Sequence, residues 1–191
     1  MRVNEGRIMF TRLTHSLVLL MSVFLLLPIA NAQQASSTDT TVVSQAKDTE
    51  SIDAIITAVY DVISGDAGEA RDWQRWATLF VPEASLSAVV SRGEGFDRVI
   101  MTPESYAANS GPILERDGFH EIEIHRIEER FGQIAHVFST YESRRSEQDA
   151  EPFARGINSF QLMHDGSRWW VVSIYWQGES ESNPIPPRYE D

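Results

Sequence analysis

The sequence predicts an α+β domain, with three helices packed on a curved, mainly antiparallel sheet. Two patterns predict it. Apolar residues recur at helical spacing in the first half of the chain, whereas from Phe119 onward they alternate with period two, and Asp165-Gly166 closes the longest pair of apolar runs as a hairpin. Helices gathered at one end of a chain and strands at the other pack as separate layers around one core.

Residues 1–32 stand outside that core. Arg2, Arg7 and Arg12 make a basic start, Leu17 to Leu27 is an apolar run short for a bilayer, and Ala30-Asn31-Ala32 is a small-x-small cleavage site. This is the pattern of a secretory signal peptide, an uncleaved anchor being the alternative, and it predicts export to the periplasm or the medium. Cleavage leaves 159 residues, one domain by size; it removes three arginines and one glutamate, taking the formal charge from −12 to −14. Such an acidic body argues against nucleic acid or, after cleavage, membrane as a partner. With no cysteine there is no disulfide and no thiolate metal site, and no glycine-rich phosphate loop is present, so neither cofactor nor metal is expected. His120 and His125, five apart on a strand, point to opposite faces and do not form a ligand cluster with His164.

Residues 33–49, polar and poor in apolar side chains, read as a disordered linker ahead of a domain at 50–178. From Ser51 to Ser64, Ile52, Ile55, Ile56, Val59 and Ile63 form the stripe of an amphipathic helix stopped by Gly65, with Tyr60 at its border. A second helix runs from about Glu69 through Trp73, Trp76 and Phe80 to Pro82. Residues Ala84 to Val90 and Phe96 to Ile100 make a short hairpin. Thr102-Pro103-Glu104 starts a third helix, carrying Tyr106 and ending before Gly111-Pro112. Phe119 to Glu129 and Ile134 to Arg145 are alternating strands turned at Phe131-Gly132-Gln133. The first of them carries His120, Ile122 and Ile124 on one face and Glu121, Glu123 and His125 on the other. The final hairpin pairs Ala154–His164 with Arg168–Gln177, and residues 179–191 read as a flexible tail with little to bury.

Pairing His164 with Ser167 across the turn places Phe160 opposite Val171, Asn158 opposite Ser173 and Gly156 opposite Tyr175 on one face. If Arg145 lies near Phe153, then His136, Phe138, Thr140 and Glu142 share that face with Asn158, Phe160, Ser173 and Tyr175. The opposite face carries Ile157, Trp170, Val172, Ile174 and Trp176. A hairpin apolar on both sides must be covered on both, and a second copy of the chain on the outer side is the economical cover.

The run Trp76-Ala77-Thr78-Leu79-Phe80-Val81-Pro82-Glu83-Ala84, with the hairpin Asn158–Trp176 and the order of elements, resembles the nuclear transport factor 2-like superfamily, in its SnoaL-like or ketosteroid-isomerase-like branch. The string His136–Arg145 followed by Arg155–Ser159 is similar to bacterial members of that superfamily with no assigned function. The resemblance spans Ser51 to Gln177. It implies a cone-shaped pocket between helices and sheet and a homodimer through the outer sheet face. It also implies an oxyanion hole from a first-helix tyrosine, matching Tyr60, and a strand acid, which falls at Asn158. The position of the catalytic base falls near Ala88, which transfers no proton, so that particular isomerisation is not expected.

The expected ligand-binding set is therefore Tyr60, Trp76, Phe138, Thr140, Asn158, Phe160 and Tyr175, in a pocket for a small hydrophobic molecule. Asn158 either orients a ligand or is a core amide satisfied by Thr140 or Ser173, and Tyr60 either donates into the pocket or sits at the helix border. Trp73 and Trp76 pack in the core or line the cup. His136 and Glu142, about 20 Å apart along one strand, are the candidate catalytic bases, each acting alone. A cofactor-free isomerase, cyclase or dehydratase and a protein-interaction module are the alternative functions.

Overall fold

A computed structural model describes residues 47–190. Residues 1–32, expected to be a signal peptide, and residues 33–46 of the expected linker lie outside the described residues. Helix α1 spans Ile52–Ile63, its N-cap Ser51 accepting from the Ala54 amide, as the sequence predicts. Asp48 and Thr49, expected in the linker, are tied to the fold: Asp48 pairs with Arg75 at 2.7 Å, and the Thr49 carbonyl accepts from the Trp169 amide.

The second helix is shorter than expected. Helix α2 covers only Trp73–Ala77, and strand β1, Phe80–Arg92, already includes Pro82. Proline offers no N–H to a ladder, and the pairing of β1 shifts between Phe80 and Ser85, where the proline falls. Strand β2 is Gly95–Met101. Helix α3, Pro103–Asp117, is longer than expected and runs through Gly111-Pro112. Pro112 forfeits one helical hydrogen bond, but a Cβ at Gly111 would stand 2.8 Å from the Trp73 ring, so the glycine lets α2 and α3 pack closely.

Strands β3 (His120–Phe131), β4 (Ile134–Arg144), β5 (Ala154–His164) and β6 (Trp169–Gly178) complete a six-stranded sheet in the order β2-β1-β6-β5-β4-β3. Only β1 and β6 are parallel. The core lies between the sheet and the helices, with Ile55, Ile56, Leu79, Val137, Phe160 and Val171 among its most enclosed side chains. Arg71 fastens the helical layer. Its guanidinium donates to the carbonyls of Ile63, Glu69, Gly65 and Leu114, joining the end of α1 to α3.

Register decides which side chains face that core, and it departs from expectation twice. Ser139 pairs with Asn158 and Val137 with Phe160, one residue from the expected alignment, so Val137, Ser139, Tyr141 and Ser143 face inward. His136, Phe138, Thr140 and Glu142 face outward instead. In the last hairpin His164 pairs with Trp169, because Asp165 Oδ1 accepts from the amides of Ser167 and Arg168 and holds a longer turn than two residues. A bulge between Leu162 and Gln161 then changes the phase of β6, bringing Ile174 and Trp176 inward and turning Tyr175 out.

The last residues do not trail away from the domain. Residues 179–190 cross the outer face of the sheet as a strap, ending in a 3-10 turn at Pro187–Tyr189. The Tyr189 carbonyl accepts from Thr140 Oγ1 at 2.7 Å and its ring lies 5.1 Å from Phe138; Ile185 is buried. Arg155 contacts Glu142 from below and Glu179 and Glu190 from the strap. Removing residues 179–191 should uncover Phe138 and Ile157 and lower stability by about 2 kcal/mol in urea unfolding, from the lost burial of Ile185 and Tyr189; an unchanged midpoint would mean that the strap contributes no net packing.

Candidate functional site

A cavity of about 340 Å³ opens between α1, α3 and the inner face of the sheet. Its walls are mainly aromatic. Trp76, held by a hydrogen bond from its indole nitrogen to the Pro103 carbonyl, stacks on Tyr106 at 5.3 Å, while Phe160 meets the edge of Tyr60 at 6.1 Å. Trp176 closes the sheet side, and the half-exposed Ile113 and Phe153 rim the opening.

Few polar groups enter, and they centre on Glu121. Ser143 Oγ donates to its Oε2 at 2.7 Å, and Asn158 Nδ2 reaches its Oε1 at 3.4 Å. Glu121 borders the cavity and keeps its remaining exposure there and in a groove at the β3 edge. Burial pushes its carboxyl up to about 7, against the opposing effect of those two hydrogen bonds.

A second chain of hydrogen bonds leads away from the cavity. Ser139 Oγ donates to Glu123 Oε1, so in its 2.7 Å contact with Ser139 the Tyr60 hydroxyl is the donor, and it accepts from Asn158 Nδ2 at 3.0 Å. The Tyr60 proton is thus committed to Ser139, while Glu123 is paired with Arg126. Tyr106 and Tyr141 differ. Their hydroxyls border the cavity and carry no hydrogen bond among the described residues, and burial, then the charge of Glu121, holds both phenols above their ordinary range. Tyr141 lies over Gly156, where a Cβ would come within 2.5 Å of its hydroxyl.

The architecture recurs in solved structures. A protein with a cystatin-like fold from Caulobacter vibrioides superposes with a TM-score of 0.51 at 13% identity, over 69% of this chain and 89% of its own. The fold is cystatin-like. The beta subunit of a candidate aromatic-ring-hydroxylating dioxygenase from Novosphingobium aromaticivorans aligns at TM-score 0.52 and 14% identity over 76% of this chain and 99% of its own. A Mycobacterium tuberculosis protein of unknown function gives 0.51 at 12% over 77% and 82%. No protein-family profile and no curated protein matches the chain. The cystatin-like roll expected from the sequence is the fold observed.

Within this cystatin-like fold, Tyr60, Trp76, Asn158 and Phe160 line the cavity, where the sequence places them. Phe138, Thr140 and Tyr175 do not; they lie on the outer face, beneath or beside the strap. His136 also lies outside, its Nε2 3.0 Å from Ser159 Oγ, and Glu142 pairs there with Arg144. Ile174 and Trp176, expected on the outer face, line the cavity. Sequence reasoning missed Glu121, Tyr106, Tyr141 and Ser143. Tyr106 was legible only as a helix residue of no assigned face. Glu121 was hidden because a strand with Ile122 on one side and acids on the other reads as turning its acids to solvent; here Ile122 is 50% exposed and the acids face the helices.

Two outcomes follow from this geometry. The raised Glu121 carboxyl binds its proton more tightly folded than unfolded, so its contribution to stability is present below pH 4.5 and lost as pH rises through 7. Between those values the stability difference should move in favour of Glu121→Gln by on the order of 2 kcal/mol in paired chemical unfolding, less than the full shift implies because of the residual exposure. A Cβ at Gly156 would meet the Gln177 carbonyl oxygen as closely as the Tyr141 hydroxyl, at 2.5 Å, so Gly156→Ala should destabilise the fold by about 1–3 kcal/mol in urea unfolding; an unchanged midpoint would contradict the close approach.

Proposed function

We propose that the cavity binds a small, largely apolar molecule presenting one polar group to Glu121. The observation that carries it is a carboxyl set among aromatic walls in a space of ligand size, beside the Tyr106 and Tyr141 phenols, which carry no hydrogen bond among the described residues. Pockets of this kind bind by burying apolar surface and use a few convergent polar groups for orientation. Together with the export expected from residues 1–32, this describes an exported binding domain. Contact with a second copy, if made by the outer face, would use Trp170 and Val172 beyond the strap.

The second reading is a cofactor-free proton-transfer enzyme of the isomerase, cyclase or dehydratase kind. Glu121 supports it, since a carboxyl poised near neutrality suits both acid and base roles. His136 and Glu142, on the outer face, do not serve this cavity. A thermal-shift screen with steroid, polyketide and terpenoid compounds should reveal ligands that raise Tm by linkage, and Phe160→Trp, which fills the cup, should remove the shift. Shifts that survive Phe160→Trp would place binding elsewhere. An enzyme would turn over its ligand and lose at least about a hundredfold in kcat in Glu121→Gln, whereas a pure binder would return the ligand unchanged.

A further inference from the structure

We propose that the cavity takes an organic cation, a small amine or quaternary ammonium compound whose charged nitrogen rests against the Glu121 carboxylate while its apolar body fills the aromatic cup. This rests on the binding role proposed above and names the ligand class. Three observations carry it. First, both Glu121 oxygens receive donors, Oε2 from Ser143 and Oε1 from Asn158, an arrangement that suits the ionised form and offers a proton on the acid no protein acceptor among the described hydrogen bonds. Second, no basic side chain among the described residues pairs with it. Glu123, two residues on and facing the same way, has Arg126; the other neighbouring basic side chains are engaged elsewhere, His120 with Asp66 and Glu147, Arg144 with Glu142, Arg145 over Phe153, and Arg71 on backbone carbonyls. Third, the side chains that complete the site are aromatic: Trp76, Tyr106, Tyr141, Phe160 and Trp176. Aromatic faces are electron-rich, and a cation enclosed by several of them gains more than an uncharged group of the same shape.

The groups facing Glu121 are Tyr60 from α1, Tyr106 from α3, Glu123 from its own strand, Tyr141 and Ser143 from β4 and Asn158 from β5. None is positive. On the cavity side an entering cation would therefore be the first favourable charge Glu121 meets, and binding would drive its proton off. The acidic body would draw such a ligand in.

The test compares benzyltrimethylammonium, permanently charged, with its uncharged isostere neopentylbenzene on the full chain, by calorimetry and tryptophan fluorescence. At about pH 8 the cation should bind at least about tenfold tighter than the isostere. Its affinity should fall about thirtyfold at about pH 5.5, with close to one proton released per cation bound near pH 6, because the ligand itself does not titrate. Glu121→Gln should flatten the pH profile and weaken the cation at least about tenfold while leaving the isostere within about twofold. His120→Asn should leave the profile intact, which separates Glu121 from the imidazole in the adjoining groove even if Glu121→Gln fails to fold. An isostere that binds as tightly as the cation, or a cation affinity that is flat or rises toward low pH, overturns the proposal and leaves the binding role standing. No binding of the cation at about pH 8 also overturns it, and the neutral panel above then judges the binding role on its own.

Discussion

The Glu121 carboxyl is held between two opposing demands. Removal from water favours its neutral form, and the donors on Ser143 and Asn158 favour its ionised form. Burial outweighs the donors, and the carboxyl is pushed up to about 7. Helices and sheet both border that carboxyl's cavity: α1 supplies Tyr60 beneath Asn158, α3 supplies Tyr106 and the rim at Ile113, and the sheet supplies the donors. Arg71 matters at a distance, since it joins the end of α1 to α3 and so holds the helical side of the cavity together.

Much of the fold was legible because its signals are local. Ser51 and Thr102 cap their helices, Ile52 to Ile63 carry a 3.6-residue stripe, and Asp165-Gly166 marks a turn. Each depends on residues a few positions apart. The cavity was half legible. Asn158 and Phe160 sit on a strand whose inward phase the apolar pattern shows, but β4 is joined to β5 through residues 145–153, and the length of such a loop sets register without leaving a periodic trace. One residue of slip sends Thr140 out and Ser139 in.

The bulges were silent for a different reason. In β6 the change of phase faces the stretch of β1 that contains Pro82, so the irregularity of one strand answers the missing donor of another 90 residues away in the chain. Both faces of β6 are apolar around it, Val171 and Ile174 inward, Val172 and Tyr175 outward, and an apolar run on both faces conceals where the alternation breaks. The same shift adds Trp176 to the aromatic walls. The irregularity of β3 near Ile124 similarly brings Ser143, rather than Arg144, opposite Glu121, and so leaves the acid with a hydroxyl partner where a guanidinium would have neutralised it.

The strap has a geometric corollary. It carries the chain from the end of β6 across the side of the sheet remote from the cavity, and fastens Glu190 to Arg155 there. A tether or label attached beyond that point would emerge from the back of the domain, so that when the protein is fixed to a surface by that end, the opening between Ile113 and Phe153 is presented to the solution.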